Sequence, residues 1–213
     1  MTLITDMDGV VINTQPIHAR LESEILFQML GRRIPEEEIS RLFTGAGTKL
    51  MFEHYLGDQW DEALARKNEA LNLISPDEIR SIEILGATDF YRWYAHTTKT
   101  EVALASGSSP TFIQIVLDAL DLTDTIKTFV SGEEVERPKP YPDIFELAMK
   151  RLRLDAVDCW TIEDSPHGIK AAKACGMRAV GLTTSFTKEM LFDAEADLVA
   201  GSFAELREIL DLN

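Results

Sequence analysis

Short apolar runs alternate with longer segments of helical periodicity along most of the chain. The runs carry Val, Ile and Leu at successive positions, which is typical of strands buried on both faces of a sheet. Strand–helix–strand repetition at this spacing predicts an α/β fold with a parallel sheet and helices on both of its faces. The predicted strands cover residues 2–5, 101–105, 128–130, 159–162, 178–182 and 197–199.

Three predicted helices begin with a recognisable start signal. Ser109-Pro110 and Ser165-Pro166 each place a capping hydroxyl directly before a proline. A proline in the first turn costs no hydrogen bond, because the N–H groups of that turn have no partner within the helix. Gly176 suits the left-handed residue that commonly follows a helix. These signals predict helices at residues 110–120, 166–176 and, after Pro142-Asp143, 144–152.

Residues 15–84 interrupt this alternation, because they show helical patterns and no convincing strand. We therefore predict an all-helical insert at 15–84, placed between the first strand and the rest of the sheet. The α/β core would consist of residues 1–14 and 85–213. Within the insert, helical patterns cover residues 18–30, 36–43, 49–56 and 61–73.

The composition of the 213 residues is that of a globular protein, with 45% hydrophobic and 27% charged side chains. Asp and Glu exceed Lys and Arg by 36 to 21, which gives a net charge of −15. Such a surface disfavours nucleic acid and anionic membranes as partners, so a phosphorylated substrate would need local positive charge. The amino-terminal residues lack the features of a signal peptide, and 18 successive apolar residues occur nowhere. We expect a cytoplasmic protein with two reduced thiols, Cys159 and Cys175, which form no zinc motif.

Polar motifs follow the predicted strands at the points where they end. The first strand is followed by Asp6 and Asp8, the second by Ser106 and Gly107, and the fourth by a Glu-Asp pair at residues 163–164. A lysine, Lys139, precedes one of the predicted helices. Because parallel strands present their carboxyl ends at one edge of the sheet, we expect these groups to converge there.

This set of groups suits phosphoryl transfer. Asp6 and Asp8 stand two residues apart on an extended chain, so both can approach one phosphorus, one as nucleophile and one as proton donor. Asp6 and Asp164 offer the hard oxygen ligands that Mg²⁺ prefers. Ser106 and the following N–H group could hold phosphate oxygens, and a lysine could neutralise developing charge.

Each motif alone has a simpler interpretation, as a turn, a helix cap or a solvated surface lysine. A calcium loop is excluded for the first motif, because placing Gly9 at its sixth position puts Ile4 at the first and Gln15 at the twelfth. The phosphoryl-transfer interpretation depends on the motifs occurring together at successive strand ends.

The sequence resembles the haloacid dehalogenase-like superfamily and, within it, the β-phosphoglucomutase-like branch with a helical cap. This resemblance implies a Rossmann-like core with the helical cap inserted at residues 15–84. The motifs that carry it are DMDGVV at 6–11, ALASGSS at 103–109, RPKPYPDIF at 137–145 and EDSPHGIKAAKACGM at 163–177.

In such a family Asp6 would be the nucleophile and Asp8 the general acid/base, with Lys139 steadying the nucleophile and the phosphate. Ser106, with Gly107, would bind the substrate phosphate.

The resemblance also implies a Mg²⁺ site. Asp6, Asp164 and the backbone carbonyl of Asp8 would be ligands, and Glu163 would assist. In the cap, His18 matches a hinge histidine, and we add Lys49 as a candidate for substrate contact.

The resemblance also reduces the number of reactions that the chain is expected to catalyse. Dehalogenases lack the second aspartate and phosphonate hydrolases replace it, so Asp8 disfavours both. A mutase uses cap cations where this chain has Thr44 and Thr48. We therefore favour a phosphatase that acts on a small phosphomonoester, such as a sugar phosphate, as a monomer or weak dimer. A β-phosphoglucomutase-type isomerase and a non-catalytic binding protein remain alternatives.

Overall fold

The protein is described by a computed structural model that covers residues 1–43 and 48–211. Its centre is a six-stranded sheet in which all neighbouring strands are parallel. The order β3-β2-β1-β4-β5-β6 is that of a Rossmann fold, which confirms the predicted α/β class. All six predicted strands overlap those of the structure: β1 (Thr2–Thr5), β2 (Val102–Ser106), β3 (Ile126–Ser131), β4 (Cys159–Glu163), β5 (Arg178–Leu182) and β6 (Leu198–Ala200).

The α-helices follow the predicted start signals where these exist. Ser109 and Ser165 each accept a hydrogen bond from an N–H group of the first helical turn. None of the helices in the described part of the chain is long and apolar enough to cross a membrane. The helices are α1 (Gln15–Leu30), α2 (Glu36–Phe43), α3 (Thr48–Leu56), α4 (Trp60–Leu71), α5 (Pro76–Ser81), α6 (Ala87–Thr98), α7 (Pro110–Ala119), α8 (Asp143–Leu152), α9 (Pro166–Ala174), α10 (Lys188–Asp193) and α11 (Phe203–Asp211).

The chain divides into two compact units. The first contains Met1–Asn13 and Pro76–Asn213, and the second contains Thr14–Ser75. Residues 76–84, which the sequence analysis assigns to the insert, therefore lie in the first unit. They do so because Asn13 donates to the Ile82 carbonyl at 2.7 Å and Ile84 donates to the Val11 carbonyl at 2.9 Å.

In the first unit, apolar side chains on both faces of the sheet are covered by helices. Strands β1, β2 and β4 are buried along their whole length. Helix α8 packs on β2 and β3, and α9 packs on β4 and β5. The resulting core holds the central strands rigidly, so their carboxyl ends are fixed positions for polar groups.

The second unit is helical in its described residues, 14–43 and 48–75. Its core joins residues from α1 to α4. The second unit also contains a buried ion pair, in which Lys67 and Glu22, both almost fully enclosed, lie 2.5 Å apart. The apolar members of the cluster are Ile25, Leu26, Ile34, Ile39, Met51, Phe52 and Ala63.

Candidate active site

The candidate site lies at the carboxyl ends of the three central strands of the first unit. Asp6 directly follows β1, and Ser106 is the last residue of β2. Glu163 is the last residue of β4, and Asp164 is the next residue in the chain. Because β1 lies between β2 and β4, these groups meet at one edge of the sheet. The predicted convergence is therefore observed for the core residues.

Lys139 joins this group from the segment before α8. Its Nζ donates to Asp6 Oδ1 at 2.6 Å, to Glu163 Oε1 at 2.7 Å and to the Ala105 carbonyl at 3.0 Å. The lysine side chain is 15% exposed, and those of Asp6 and Glu163 are 9% and 1% exposed. One enclosed cation thus holds two enclosed carboxylates and the end of β2.

Burial raises the pKa of Asp6 to about 8, although the charge of Lys139 acts in the opposite direction. Glu163 and Asp8 add to the rise, because their negative charges disfavour a further anion. Burial also raises the pKa of Asp164 to about 7, with the charge of Asp6 as the next cause. The charge of Lys139 therefore does not offset the combined effect of burial and neighbouring carboxylates on these two groups.

The donor set fits a hard divalent cation. Carboxylate oxygens of Asp6, Glu163 and Asp164 lie within 4.8 Å of one another, and all three residues are buried. An all-oxygen site of this kind suits Mg²⁺ rather than zinc, and a cation there would offset the mutual repulsion. Glu163 accepts from Lys139 and, at 3.4 Å, from Ser165, while Asp6 accepts from Lys139 and Asp164 accepts from Ser185. Each carboxylate has several lone pairs, so these hydrogen bonds leave oxygen positions that could bind a cation.

Two glycines allow the chain to pass close to these carboxylates. A Cβ at Gly9 would lie 1.9 Å from Asp164 Oδ2, and Gly9 has a φ of +77°, which disfavours other residues. A Cβ at Gly168 would lie 1.9 Å from the Glu163 carboxyl group. Neither glycine was assigned a role from sequence; the available signal was the place of Gly9 in the DMDG motif and of Gly168 in the first turn of α9.

Asp8 is held by the loop that follows β2. Its Oδ2 accepts from the Ser106 hydroxyl at 2.9 Å and from the Ser108 hydroxyl at 3.0 Å. The N–H of Ser108 donates in turn to Ser106 Oγ at 3.0 Å. The carboxyl group of Asp8 therefore lies against the predicted phosphate-binding loop, and it is not among the three clustered carboxylates. Ser108 was missed by the sequence analysis, although it stands in the same SGSS motif.

The position next to Ser106 also has the open space that a phosphate-binding backbone requires. A Cβ built at Gly107 would meet nothing within 4 Å. Ser131 Oγ donates to the Ser108 carbonyl at 2.7 Å and so ties this loop to the end of β3. The loop is thus anchored by Asp8 and by Ser131, and it is open beside Gly107.

The predicted cap residues lie in the second unit. His18 is half-buried in α1, and Lys49 is exposed in α3, with its Nζ 4.4 Å from the centre of the Trp60 ring. Lys49 also lies 3.7 Å from Glu53. Its charge is therefore already engaged within its own unit.

Thr44 and Thr48 were predicted to stand where a mutase has cap cations, and the structure describes only the second of them. Thr44 lies outside the described residues. Thr48 donates to Glu22 Oε1 at 3.0 Å and accepts from Lys67 at 2.5 Å. Sequence reasoning missed this group of Glu22, Thr48 and Lys67, whose members are far apart along the chain.

Comparison with known proteins places the chain in a family. A family model described as haloacid dehalogenase-like hydrolase matches residues 3–182. The chain belongs to this family, as the four motifs indicated. It is a phosphomonoester hydrolase of this superfamily.

Individual relatives cover nearly the whole chain. Fructose-1-phosphate phosphatase YqaB of Escherichia coli is 30% identical over 186 residues, which are 84% of this chain and 94% of the relative. The crystal structure of a CbbY variant from Rhodobacter sphaeroides, in complex with xylulose-(1,5)bisphosphate, is 26% identical with a TM-score of 0.79 and covers 96% and 95% of the two chains. β-Phosphoglucomutase of Clostridium difficile shares the fold at 21% identity, with a TM-score of 0.77 and coverage of 99% and 95%.

Proposed function

We propose that this protein is a Mg²⁺-dependent phosphatase that hydrolyses a small sugar phosphate through an aspartyl-phosphate on Asp6. The observation that carries the proposal is the pairing of Asp6 with Lys139 at 2.6 Å, beside Asp164 and two residues before Asp8. This arrangement supplies a fixed nucleophile, a compensating cation and a second carboxyl group for proton transfer.

In the first half-reaction, a carboxylate oxygen of Asp6 attacks phosphorus and the bond from phosphorus to the sugar oxygen breaks. Asp8 gives its proton to the departing sugar oxygen, which leaves as a hydroxyl group. Ser106 and the N–H of Gly107 bind the phosphate oxygens, and Lys139 stabilises the added negative charge. The products are a free sugar and phosphorylated Asp6.

In the second half-reaction, Asp8 takes a proton from a water molecule as that water attacks phosphorus. The bond between phosphorus and the Asp6 oxygen breaks, and inorganic phosphate is released. Asp8 ends this step protonated, which is the state that the next substrate requires. Because Ser106 gives its single hydrogen to the phosphate during the reaction, the hydrogen bond from Ser108 keeps the Asp8 carboxyl group beside the phosphate loop.

Asp6, Asp164 and the backbone carbonyl of Asp8 would hold the Mg²⁺ ion, and Glu163 would support the site through Lys139. The ion would neutralise phosphate charge in a protein of net charge −15. The pKa values of Asp6 and Asp164 are raised first by burial and also by neighbouring carboxylates, and a bound cation would offset both effects.

A sugar phosphate is supported as the substrate class by two comparisons. The Escherichia coli relative is named for fructose 1-phosphate, and the Rhodobacter sphaeroides variant binds a xylulose bisphosphate. A mutase function is less well supported, because Thr48 stands at a predicted cation position and is engaged by Lys67 and Glu22. The charge of Lys67 is paired with Glu22, and Thr48 has no charge. This group therefore does not supply the positive charge that a second phosphate would need.

The experiment is a screen of sugar phosphates for phosphate release with Mg²⁺, followed by intact-mass analysis of the enzyme. We expect the Asp6→Asn variant to release no phosphate and to carry no added phosphate with any substrate. Asp193→Asn, which changes an exposed aspartate of α10, should behave as the wild type. A phosphorylated Asp6→Asn enzyme would show that another residue is the nucleophile. Efficient conversion of β-glucose 1-phosphate to glucose 6-phosphate, faster than phosphate release, would favour the mutase.

A further inference from the structure

Helix α6 contacts both ends of β1 through two buried tyrosines. The Tyr94 hydroxyl donates to the Met1 carbonyl at 2.6 Å and accepts from Trp160 Nε1 at 2.8 Å. The Tyr91 hydroxyl lies 2.7 Å from Thr5 Oγ1, at the other end of the strand. Residues three apart lie on the same face of a helix, so one face of α6 holds the strand that precedes Asp6.

The contact at Thr5 continues to the nucleophile. Thr5 Oγ1 donates to the backbone carbonyl of Asp6 at 2.9 Å. Because a hydroxyl group has a single hydrogen, Thr5 must accept from Tyr91 while it donates to Asp6. Thr5 and Tyr91 are both fully buried. Burial also raises the pKa of Tyr91 far above its ordinary value, so the tyrosine keeps the proton that it donates.

This chain of hydrogen bonds fixes one side of the Asp6 main chain, and β4 fixes the other. The Asp6 N–H donates to the Ile162 carbonyl at 3.0 Å. With its N–H and its carbonyl both engaged, the main chain of Asp6 has little freedom to rotate. The direction of the Asp6 side chain is then set before Lys139 contacts its carboxylate.

We infer that Thr5 and Tyr91 are positioning residues for the reaction, because the Tyr91–Thr5–Asp6 hydrogen-bond chain fixes the orientation of the nucleophile. This inference rests on the proposed role of Asp6. Neither side chain touches the reacting atoms, so their effect is on the geometry of attack and not on substrate binding. Displacing a reacting group by about 1 Å can lower a rate by as much as about 100-fold.

The test begins with variants that remove one hydroxyl each. We expect Thr5→Val to lower kcat by about 10- to 100-fold, with KM within about twofold of the wild type. Thr5→Ser keeps the hydroxyl and should retain kcat within about threefold. Tyr91→Phe leaves the bond from Thr5 to Asp6 in place and should lower kcat by about 3- to 10-fold. In the Thr5→Val background, Tyr91→Phe should have little further effect, because the chain is already broken.

Tyr94→Phe is the matched control, since it removes a buried hydroxyl from the same face of α6 at the far end of β1. It should lower the unfolding temperature at least as much as Tyr91→Phe, because it loses two hydrogen bonds, and it should leave kcat within about twofold, because neither bond leads to the Asp6 main chain. A loss of kcat in Tyr94→Phe equal to that in Tyr91→Phe would overturn the inference, since helix stability alone would then explain both.

The inference is also overturned if Thr5→Val keeps kcat within twofold of the wild type, or if Thr5→Ser loses as much as Thr5→Val. Its failure can be separated from failure of the proposed function by measuring Asp6→Asn in parallel. An unchanged Thr5→Val rate with an inactive Asp6→Asn enzyme would reject the positioning role alone. A phosphorylated Asp6→Asn enzyme would reject both.

Discussion

Replacing Lys139 with methionine removes a positive charge from between two buried carboxyl groups and keeps a side chain of similar length. The lysine Nζ lies 2.6 Å from Asp6 and 2.7 Å from Glu163, and its side chain is 15% exposed. Both carboxyl groups have a raised pKa even with the lysine present, because burial disfavours their charged forms. Without Lys139 both pKa values would rise further, because its positive charge now lowers them.

The size of the effect follows from the burial of this group. Removing one partner of a buried ion pair costs about 3–5 kcal/mol of folding free energy. Because Asp6 and Glu163 can take up protons when the lysine is lost, we expect a value near the lower limit, about 3 kcal/mol. Losing an electrostatic group at the reacting centre lowers kcat by about 10²–10³, so we expect a comparable loss in Lys139→Met.

The assay combines urea unfolding in EDTA with kcat for p-nitrophenyl phosphate in saturating Mg²⁺. The matched control is Lys173→Met, which breaks a 2.7 Å pair with Asp197 whose side chains are 25% and 44% exposed. An exposed pair of this kind should contribute no more than about 1 kcal/mol, and kcat should not change. If Lys139→Met keeps kcat within about threefold of the wild type, the reasoning that Lys139 compensates charge at the nucleophile is refuted.

Three further predictions concern the metal, the acid/base and a pair outside the site. EDTA should abolish turnover and Mg²⁺ restore it, with Ca²⁺ poorly effective because its looser coordination misplaces the nucleophile; full activity in metal-free buffer would contradict the Mg²⁺ assignment. Asp8→Asn should give a burst of up to about one nitrophenol per enzyme in stopped flow and then turn over about 10²–10⁴-fold more slowly, since nitrophenolate leaves without a proton but water still needs a base; a linear trace at the wild-type rate would exclude Asp8 as the acid/base. Burial opposes the charge of Asp197, but hydrogen bonds from Lys173 and Ala179 lower its pKa. The charged form of Asp197 therefore stabilises the folded state above the pKa of the unfolded chain, and this contribution is lost as the pH falls through the folded pKa. Asp197→Asn should therefore lower the unfolding free energy by about 1 kcal/mol at pH 7, with a difference that shrinks below about pH 4 in thermal melts; a constant difference would reject the role of the charge.

The core of the site was predictable from sequence because each of its groups stands at the end of an apolar run. Asp6, Ser106 and Glu163 follow strands whose patterns are unambiguous, and parallel strands bring such ends together. Lys139 was predictable from its motif, but its simultaneous contact with Asp6 and Glu163 depends on how the segment before α8 returns to the sheet.

Other features depend on contacts that local patterns do not encode. Helix α6 was missed because it begins after Gly86 in a left-handed conformation, where no polar side chain marks the start. The pair of Glu22 and Lys67 joins two helices across 45 positions of sequence, so neither residue signals the other. The sequence prediction ended the insert at residue 84, whereas the second unit of the structure ends at Ser75. The difference arises from backbone hydrogen bonds such as that from Asn13 to Ile82, which the amino-acid composition does not reveal.

Those same backbone hydrogen bonds have a consequence for how such a protein can change over generations. The chain leaves the first unit after Asn13 and returns at Pro76, and bonds to Ile82 and from Ile84 fasten the two crossing segments together. The intervening residues, 14–75, therefore form a segment whose two ends are held together by hydrogen bonds within the first unit. Because this segment is a compact unit with its own apolar core, a segment of another size could be joined at the same two points. The segment can then be exchanged as a module during evolution, while the strand that ends at Asp6 keeps its neighbours and its chemistry.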